Sequence, residues 1–181
     1  MKKKLFIDLD DVTFETSLYV RDKCKEEGIF VEDDCCVYQK VSKNFLKECL
    51  SNYFKIPFRK DFLKYFKKLD KIYDIYILSE YYFDEECNAK FERVKEFIDS
   101  DKILLVDARK ERKFEKDLSD GILIDDNLII LDKVNSEDKI CFWCETTSPW
   151  DYEGNVIEHN YKPLYSWKAI YEELVKNKKC S

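Results

Sequence analysis

The stretch Lys4-Leu5-Phe6-Ile7-Asp8-Leu9-Asp10-Asp11 decides the fold. It starts as an apolar run and ends with three carboxylates within four positions, where like charges repel and each acid is costly to desolvate. An apolar run closed by acids suits a strand buried on both faces of a parallel sheet, its C-terminal end turned toward the chemistry. The acids then either surround something cationic or face water in a turn.

Outward from this stretch, the pattern from Phe14 to about Tyr53 turns helical. Leu18, Val20 and Cys24 are interleaved with charges and Gly28 stops the first element. Val41, Phe45, Leu46, Cys49 and Leu50 keep helical spacing on a second. After Pro57, Asp61 to Leu69 reads as an amphipathic helix, leading into a second strand, Tyr73 to Leu78, that stops at Ser79-Glu80. Asp84 to Ile98 reads as a helix with Asp84 as its N-cap. Ile103 to Val106 gives a third strand, followed by a charged stretch from Asp107 to Asp120. Gly121 to Ile124 gives a fourth, ending in Asp125-Asp126-Asn127, and Lys139 to Trp143 a fifth. Thr146 to Pro163 has no clear period and reads as loop before a closing helix, Trp167 to Val175.

Strands alternating with helices predict an α/β fold with right-handed crossovers and a parallel sheet covered on both faces. Ligands of such sheets lie at the carboxyl ends of the strands. Asp8 and Asp10, Ser79, and Asp125 and Asp126 all stand at predicted strand ends, so they converge on one crevice. A divalent cation among these acids answers the question the first stretch raises.

Composition narrows the function. The 181 residues are 45% apolar and 15% aromatic, enough for one main domain with a full core, although 39% are charged. A net charge of -6 and a pI near 5.1 argue against a nucleic-acid polymer as partner, whose phosphates require many Lys and Arg contacts. A small anionic substrate is compatible where a metal helps. Lys2, Lys3 and Lys4 are followed by an apolar run that breaks at Asp8, too early for a signal peptide. No run reaches membrane-spanning length, so a cytoplasmic location is expected. The eight cysteines then read as free thiols. Cys141-Phe-Trp-Cys144 and the single histidine, His159, fall short of the four-ligand pattern of structural zinc.

The ordered motifs resemble the haloacid dehalogenase superfamily of phosphatases, and within it the 5'(3')-deoxyribonucleotidase branch. The residues carrying the resemblance are the apolar strand with Asp8-Leu-Asp10, then Tyr73-Asp-Ile-Tyr-Ile-Leu-Ser79, a later lysine, and Ile122-Leu-Ile-Asp125-Asp126-Asn127. Each motif alone is common, since Asp pairs often cap helices, a serine after a strand is a frequent turn residue and lysines are mostly solvated. Their order at successive predicted strand ends is what carries the reading.

The resemblance implies a three-layer Rossmann-like core, residues 1–13 and 56–181, with a small helical cap at 14–55. It implies a Mg2+-dependent phosphomonoesterase for nucleoside monophosphates. Asp8 would be the nucleophile and Asp10 the general acid and base. Asp8, the backbone carbonyl of Asp10, Asp125 and Asp126 would serve the metal. Ser79 and the backbone N–H of Glu80 would bind phosphate with a lysine. Lys113 best matches the branch's spacing, with Lys110 in reserve and Lys116 also in the segment. Phe14 is near enough in sequence to Asp8 to reach a bound base, and Tyr19, Tyr38, Phe45 and Tyr53 are looser candidates. A homodimer is a further expectation.

Two residues depart from the branch. Asp11 stands where a glycine is usual, and Glu80 puts a second acid beside the phosphate site. They motivate a rival reading, a non-catalytic nucleotide-binding protein on the same fold; another rival keeps the chemistry but changes the substrate to a different small phosphomonoester.

Overall fold

The computed structural model describes residues 2–31, 37–144, 147 and 161–179. Cys35, Cys36, His159 and most of the stretch from Thr146 to Pro163 lie outside the described residues.

Five strands form one sheet, all parallel, in the order β3-β2-β1-β4-β5. They are β1 (Lys4–Ile7), β2 (Asp74–Tyr81), β3 (Ile103–Asp107), β4 (Asp117–Asp125) and β5 (Asn135–Cys141). β1 lies at the centre, in register with β2 (Ile7 beside Ile77) and β4 (Ile7 beside Ile124). Leu5, Phe6 and Ile7 are buried, so successive side chains feed opposite cores, as an uninterrupted apolar run in a central parallel strand requires. Gly121 sits where β4 closes on β1. A Cβ there would lie 2.6 Å from the Phe6 ring, so the close approach needs a residue without one.

The β1 to β2 crossover is the long one. It holds α1 (Thr16–Glu26), α2 (Val37–Lys40), α3 (Lys43–Ser51), a 3-10 turn at Tyr53–Lys55, and α4 (Phe62–Leu69). α1 ends at Gly28, whose φ of +67° uses the left-handed conformation open to glycine. Val20, Cys24, Val37 and Cys49 form a small apolar cluster of their own within this stretch.

α5 (Asp84–Val94) joins β2 to β3, and α6 (Leu128–Lys133) joins β4 to β5. Asp84 is the first helical residue rather than the cap, a place held by Phe83; Asp84, Glu85 and Glu86 put acids in the first turn, where the helix dipole favours them. β4 begins four residues before its apolar run, at Asp117, and a register shift between Leu118 and Ile122 absorbs the charged start.

α7 (Trp167–Lys179) closes the larger core, where Phe62, Phe66, Trp167, Ile170 and Leu174 pack against Leu5, Ile7, Ile75 and Ile77. Among the described residues Trp167 is the largest fully buried side chain, and its Nε1 donates to the Val12 carbonyl at 3.0 Å, tying the last helix to the loop after β1. Replacing it with alanine is expected to cost about 3–5 kcal/mol. The β3 to β4 connection carries no helix, only a 3-10 turn at Lys113–Glu115, and that brings a charged segment to the sheet's C-terminal end.

Candidate active site

Three strand ends build the site. The Asp8 N–H donates to the Ile124 carbonyl at 3.1 Å, extending the ladder one residue beyond β1 and setting Asp8 beside the end of β4. The loop then turns sharply: Thr13 and Phe14 both donate backbone N–H groups to the Leu9 carbonyl at 2.9 Å, and Thr13 Oγ1 donates to the Asp8 carbonyl at 2.8 Å. Asp125 closes β4, fully buried, with one carboxylate oxygen accepting from the Asn127 N–H at 2.9 Å. Asn127 in turn caps α6 by accepting from the Ile129 and Ile130 N–H groups.

Lys113 joins the two strand ends. Its Nζ lies 2.8 Å from Asp8 Oδ1 and 2.6 Å from Asp125 Oδ2, and all three side chains are almost wholly buried. Lys110 is 79% exposed and pairs with Asp107, and Lys116 pairs with Glu111, so of the three lysines in the segment Lys113 alone touches Asp8 and Asp125 among the described contacts. Glu80 aims the segment. Its carboxylate accepts both Arg112 guanidinium bonds, at 2.8 and 2.9 Å, and the Lys113 backbone N–H at 2.8 Å. That acid is therefore spent on the crossover. Burial alone would raise its pKa, but the Arg112 and Lys113 N–H bonds hold it below the usual carboxylate range. Ser79 is fully buried on β2, two residues beyond the pair with Ile7, and its Oγ has only a long contact, 3.5 Å, to the Glu80 carbonyl.

Asp11 shows why an acid can stand at a glycine position. Its φ of +59° is left-handed, a conformation Asp tolerates better than most residues. Its side chain caps α1, accepting from the Ser17 N–H at 2.9 Å and from the Ser17 hydroxyl, while Arg59 donates to its carbonyl oxygen at 3.0 Å and pairs with its carboxylate at 3.4 Å. The charge is partnered within the loop.

Asp10 is held differently. Tyr53 donates its hydroxyl to Asp10 Oδ1 at 2.9 Å, and Lys90 of α5 reaches Asp10 Oδ2 at 2.6 Å. Phe14 is fully buried, edge-on to Tyr53 at 5.1 Å and stacked on Phe58 at 4.6 Å, so it belongs to the core and does not reach a bound base. The Tyr38 hydroxyl oxygen accepts from Ser17 Oγ at 3.2 Å, and Tyr19 and Phe45 pack on the small helical cluster.

The carboxylates at these strand ends are crowded and buried. Burial pushes the Asp8 carboxyl up to about 7, despite the Lys113 ammonium beside it. Burial also raises Asp125, and it raises Asp126 strongly, with Asp11, Asp125 and Asp8 adding to the repulsion. Burial works against a charged Lys113, yet Asp125 and Asp8 together raise its pKa. Oxygens of Asp8, Asp125 and Asp126 lie within 4.8 Å of one another. Asp8 Oδ1 and Asp125 Oδ2 are buried without a well-directed hydrogen bond, having Lys113 only at ion-pair distance. Three clustered hard oxygen donors, two of them sharing the Lys113 ammonium, fit Mg2+, which takes oxygen ligands. The thiol of Cys144 lies 3.9 Å from Asp126 Oδ2. Cys24, Cys49, Cys87, Cys141 and Cys144 are all free thiols, and Cys141 is pushed up to about 12 by burial.

Sequence reasoning missed Lys90, Glu86, Arg59 and Arg112. A signal existed for the first two: Glu86, Lys90 and Val94 share one helical face, and the buried Val94 marks it as the inner one.

No protein-family model matches the chain, and no curated relative does. Solved structures do. A haloacid dehalogenase-like hydrolase from Streptococcus pneumoniae superposes with a TM-score of 0.58 at 13% identity, covering 96% of this chain and 98% of that one. A predicted phosphatase from Clostridium acetobutylicum gives 0.58 at 14% identity, with 97% and 99% covered. The Bacillus subtilis HAD-hydrolase YfnB, solved with magnesium, gives 0.52 at 11% identity, with 96% and 98% covered. The five-stranded parallel sheet and its flanking helices thus have the fold of the haloacid dehalogenase-like hydrolases.

Proposed function

We propose that the chain is a Mg2+-dependent phosphomonoesterase acting through an aspartyl-phosphate on Asp8, with (deoxy)ribonucleoside monophosphates as substrates of a 5'-nucleotidase. The observation that carries the phosphatase reading is the buried Lys113 ammonium bridging Asp8 and Asp125 at the C-terminal end of the sheet. The nucleotide assignment rests on the sequence resemblance to the deoxyribonucleotidase branch.

A carboxylate attacking an anionic phosphate ester meets repulsion that cations and hydrogen-bond donors must offset. Asp8, Asp125, Asp126 and the Asp10 carbonyl would hold Mg2+, which when bound supplies positive charge at the phosphoryl oxygens. Lys113 supplies a second positive charge from the protein itself. Ser79 and the Glu80 backbone N–H bind the phosphoryl group. An Asp8 oxygen then forms a bond to phosphorus as the bond to the leaving oxygen breaks, and Asp10 gives that oxygen its proton. Asp10 next takes a proton from water, whose oxygen displaces Asp8 from phosphorus and restores its carboxylate. In this scheme residues 14–55 act as a cap that excludes water and reads the leaving group, over a core of residues 1–13 and 56–181.

A second reading, the same chemistry on a different small phosphomonoester, is favoured by the burial of Phe14, which removes the ring best placed in sequence to stack a base. The test is phosphate release from deoxyribonucleotides, ribonucleotides and sugar phosphates, with Mg2+ and with EDTA, for wild type and Asp8→Asn. The proposal expects turnover that needs both Mg2+ and Asp8, fastest on a nucleoside monophosphate. Fastest turnover on a sugar phosphate selects the second reading, and turnover that survives EDTA or Asp8→Asn contradicts both.

A further inference from the structure

α5 carries a buried ion cluster that the scheme above does not use. Lys90 is 0% exposed, and its Nζ meets three acceptors: Asp10 Oδ2 at 2.6 Å, Glu86 Oε1 at 2.7 Å and the Glu80 carbonyl at 2.6 Å. An ammonium has three protons to give, so it is fully used. Glu86, also buried, is fixed from its other oxygen by the Tyr82 N–H at 2.9 Å. Across from Lys90, Tyr53 holds the remaining Asp10 oxygen, and its ring lies 5.5 Å from the ammonium.

A Lys and a Glu four residues apart on a helix ordinarily pair in water for a small gain. Burying that pair is expensive unless further hydrogen bonds complete it. Here the completing groups are the Asp10 carboxylate and the β2 strand end that bears Ser79 and Glu80. Asp10 keeps 27% exposure, so its side chain is anchored while part of it stays accessible.

We propose that Lys90 and Glu86 are a positioning pair, which fixes the Asp10 carboxylate against the end of β2 and, with Tyr53, sets its direction toward the reacting oxygen. The inference rests on the phosphatase reading, in which Asp10 moves the protons. Lys90 touches no substrate and acts through Asp10. Its loss therefore removes a part of what Asp10 contributes, not an independent factor.

The experiment is a double-mutant cycle on Mg2+-dependent phosphate release, comparing wild type, Lys90→Met, Asp10→Asn and the double variant, with kcat and KM measured for each. Lys90→Met is expected to lower kcat by about 10- to 100-fold, a share of the usual general acid-base contribution, with KM within about threefold. In the Asp10→Asn background the same change is expected to lower kcat less than about threefold. Glu86→Gln, which keeps a polar partner for Lys90, is expected to give a smaller loss that is likewise absent in Asp10→Asn, and it serves where Lys90→Met does not fold. Lys90→Arg, which keeps the charge, is expected to recover part of kcat. Losses from Lys90 and Asp10 that multiply would overturn the inference while leaving the phosphatase reading intact. A wild type without Mg2+-dependent turnover would overturn both.

Discussion

Two buried lysines serve two pairs of carboxylates in this site, and they arrive by opposite routes. Lys113 comes from the helix-free β3 to β4 connection and bridges Asp8 and Asp125; Lys90 comes from the middle of α5 and bridges Asp10 and Glu86. The first is placed by its neighbours, because Glu80 grips Arg112 and the Lys113 backbone. The second is placed by helix geometry, one turn beyond Glu86. A charged connection without an α-helix needs a dedicated clamp to present a lysine, whereas an α-helix already fixes the direction of the side chain. The Lys113 pair lies among the acids that fit a metal, and the Lys90 pair lies behind the residue proposed to move protons.

The sharpest way to break the contrast is to remove each lysine of the charged segment in turn. Lys113→Met is expected to lower turnover by about 10²-fold or more and, by leaving Asp8 and Asp125 without their cation, to cost about 3–5 kcal/mol of stability. Lys110→Met and Lys116→Met are expected to stay within about 0.5 kcal/mol. Chemical denaturation and steady-state rates on the three variants check this. Effects of Lys113→Met as small as those of Lys110→Met and Lys116→Met would contradict its bridging role.

The metal side also has a pH signature. Because burial pushes Asp8 up to about 7, its carboxyl is protonated below that pH and must lose its proton to ligate a cation. Mg2+ affinity is therefore expected to fall by up to about tenfold for each pH unit below 7, with proton release on binding. Calorimetry in buffers of different ionisation enthalpy reads both. Affinity independent of pH from 5 to 8 would contradict a raised Asp8 carboxyl that must ionise to ligate the cation.

The clamp predicts a smaller effect of opposite pH sense to that of a raised carboxyl. Glu80 is held below its ordinary value of 4.5, so its contribution is complete above that value and is lost as the pH falls through the lower folded value. Glu80→Gln is expected to cost about 1.5–3 kcal/mol at pH 7, with the gap to wild type closing in acid. Urea denaturation at pH 7 and pH 3 measures it. On the Lys90 side, Tyr53→Phe removes one hydrogen bond to a half-open carboxylate and is expected to cost about 1 kcal/mol. A loss as large as that of Lys113→Met would make Tyr53 the main anchor of Asp10.

Legibility in the sequence follows the same divide. The central strand, the parallel sheet and the convergence of Asp8, Ser79 and Asp125 on one end followed from apolar runs closed by polar residues. Such runs are set by burial on both faces, which the sequence displays directly. Lys113 is singled out ahead of Lys110 and Lys116 by the resemblance, whose spacing to Asp125 it fits best, while the Glu80 clamp that places it, a contact across 33 positions, is visible only in the fold. Lys90 is easy to miss because a Glu and a Lys at helical spacing look the same whether solvated or buried, and only Val94 on the same face points to the inner side. Asp11 and Glu80, read as extra charge against the phosphate, have partners in Ser17, Arg59 and Arg112 that only the folded chain brings near. Phe14 lies near Asp8 in sequence, but nearness says nothing about direction, and the turn at Leu9 sends its ring into the core.

The most direct test of the account is to look for the covalent intermediate. Protein mixed with Mg2+ and its best phosphomonoester is quenched in acid within the first turnover, digested and analysed by mass spectrometry. The account predicts one phosphoryl group on the peptide holding Asp8, absent in Asp8→Asn. Turnover with no phosphorylated Asp8, or with the group on another residue, would contradict it.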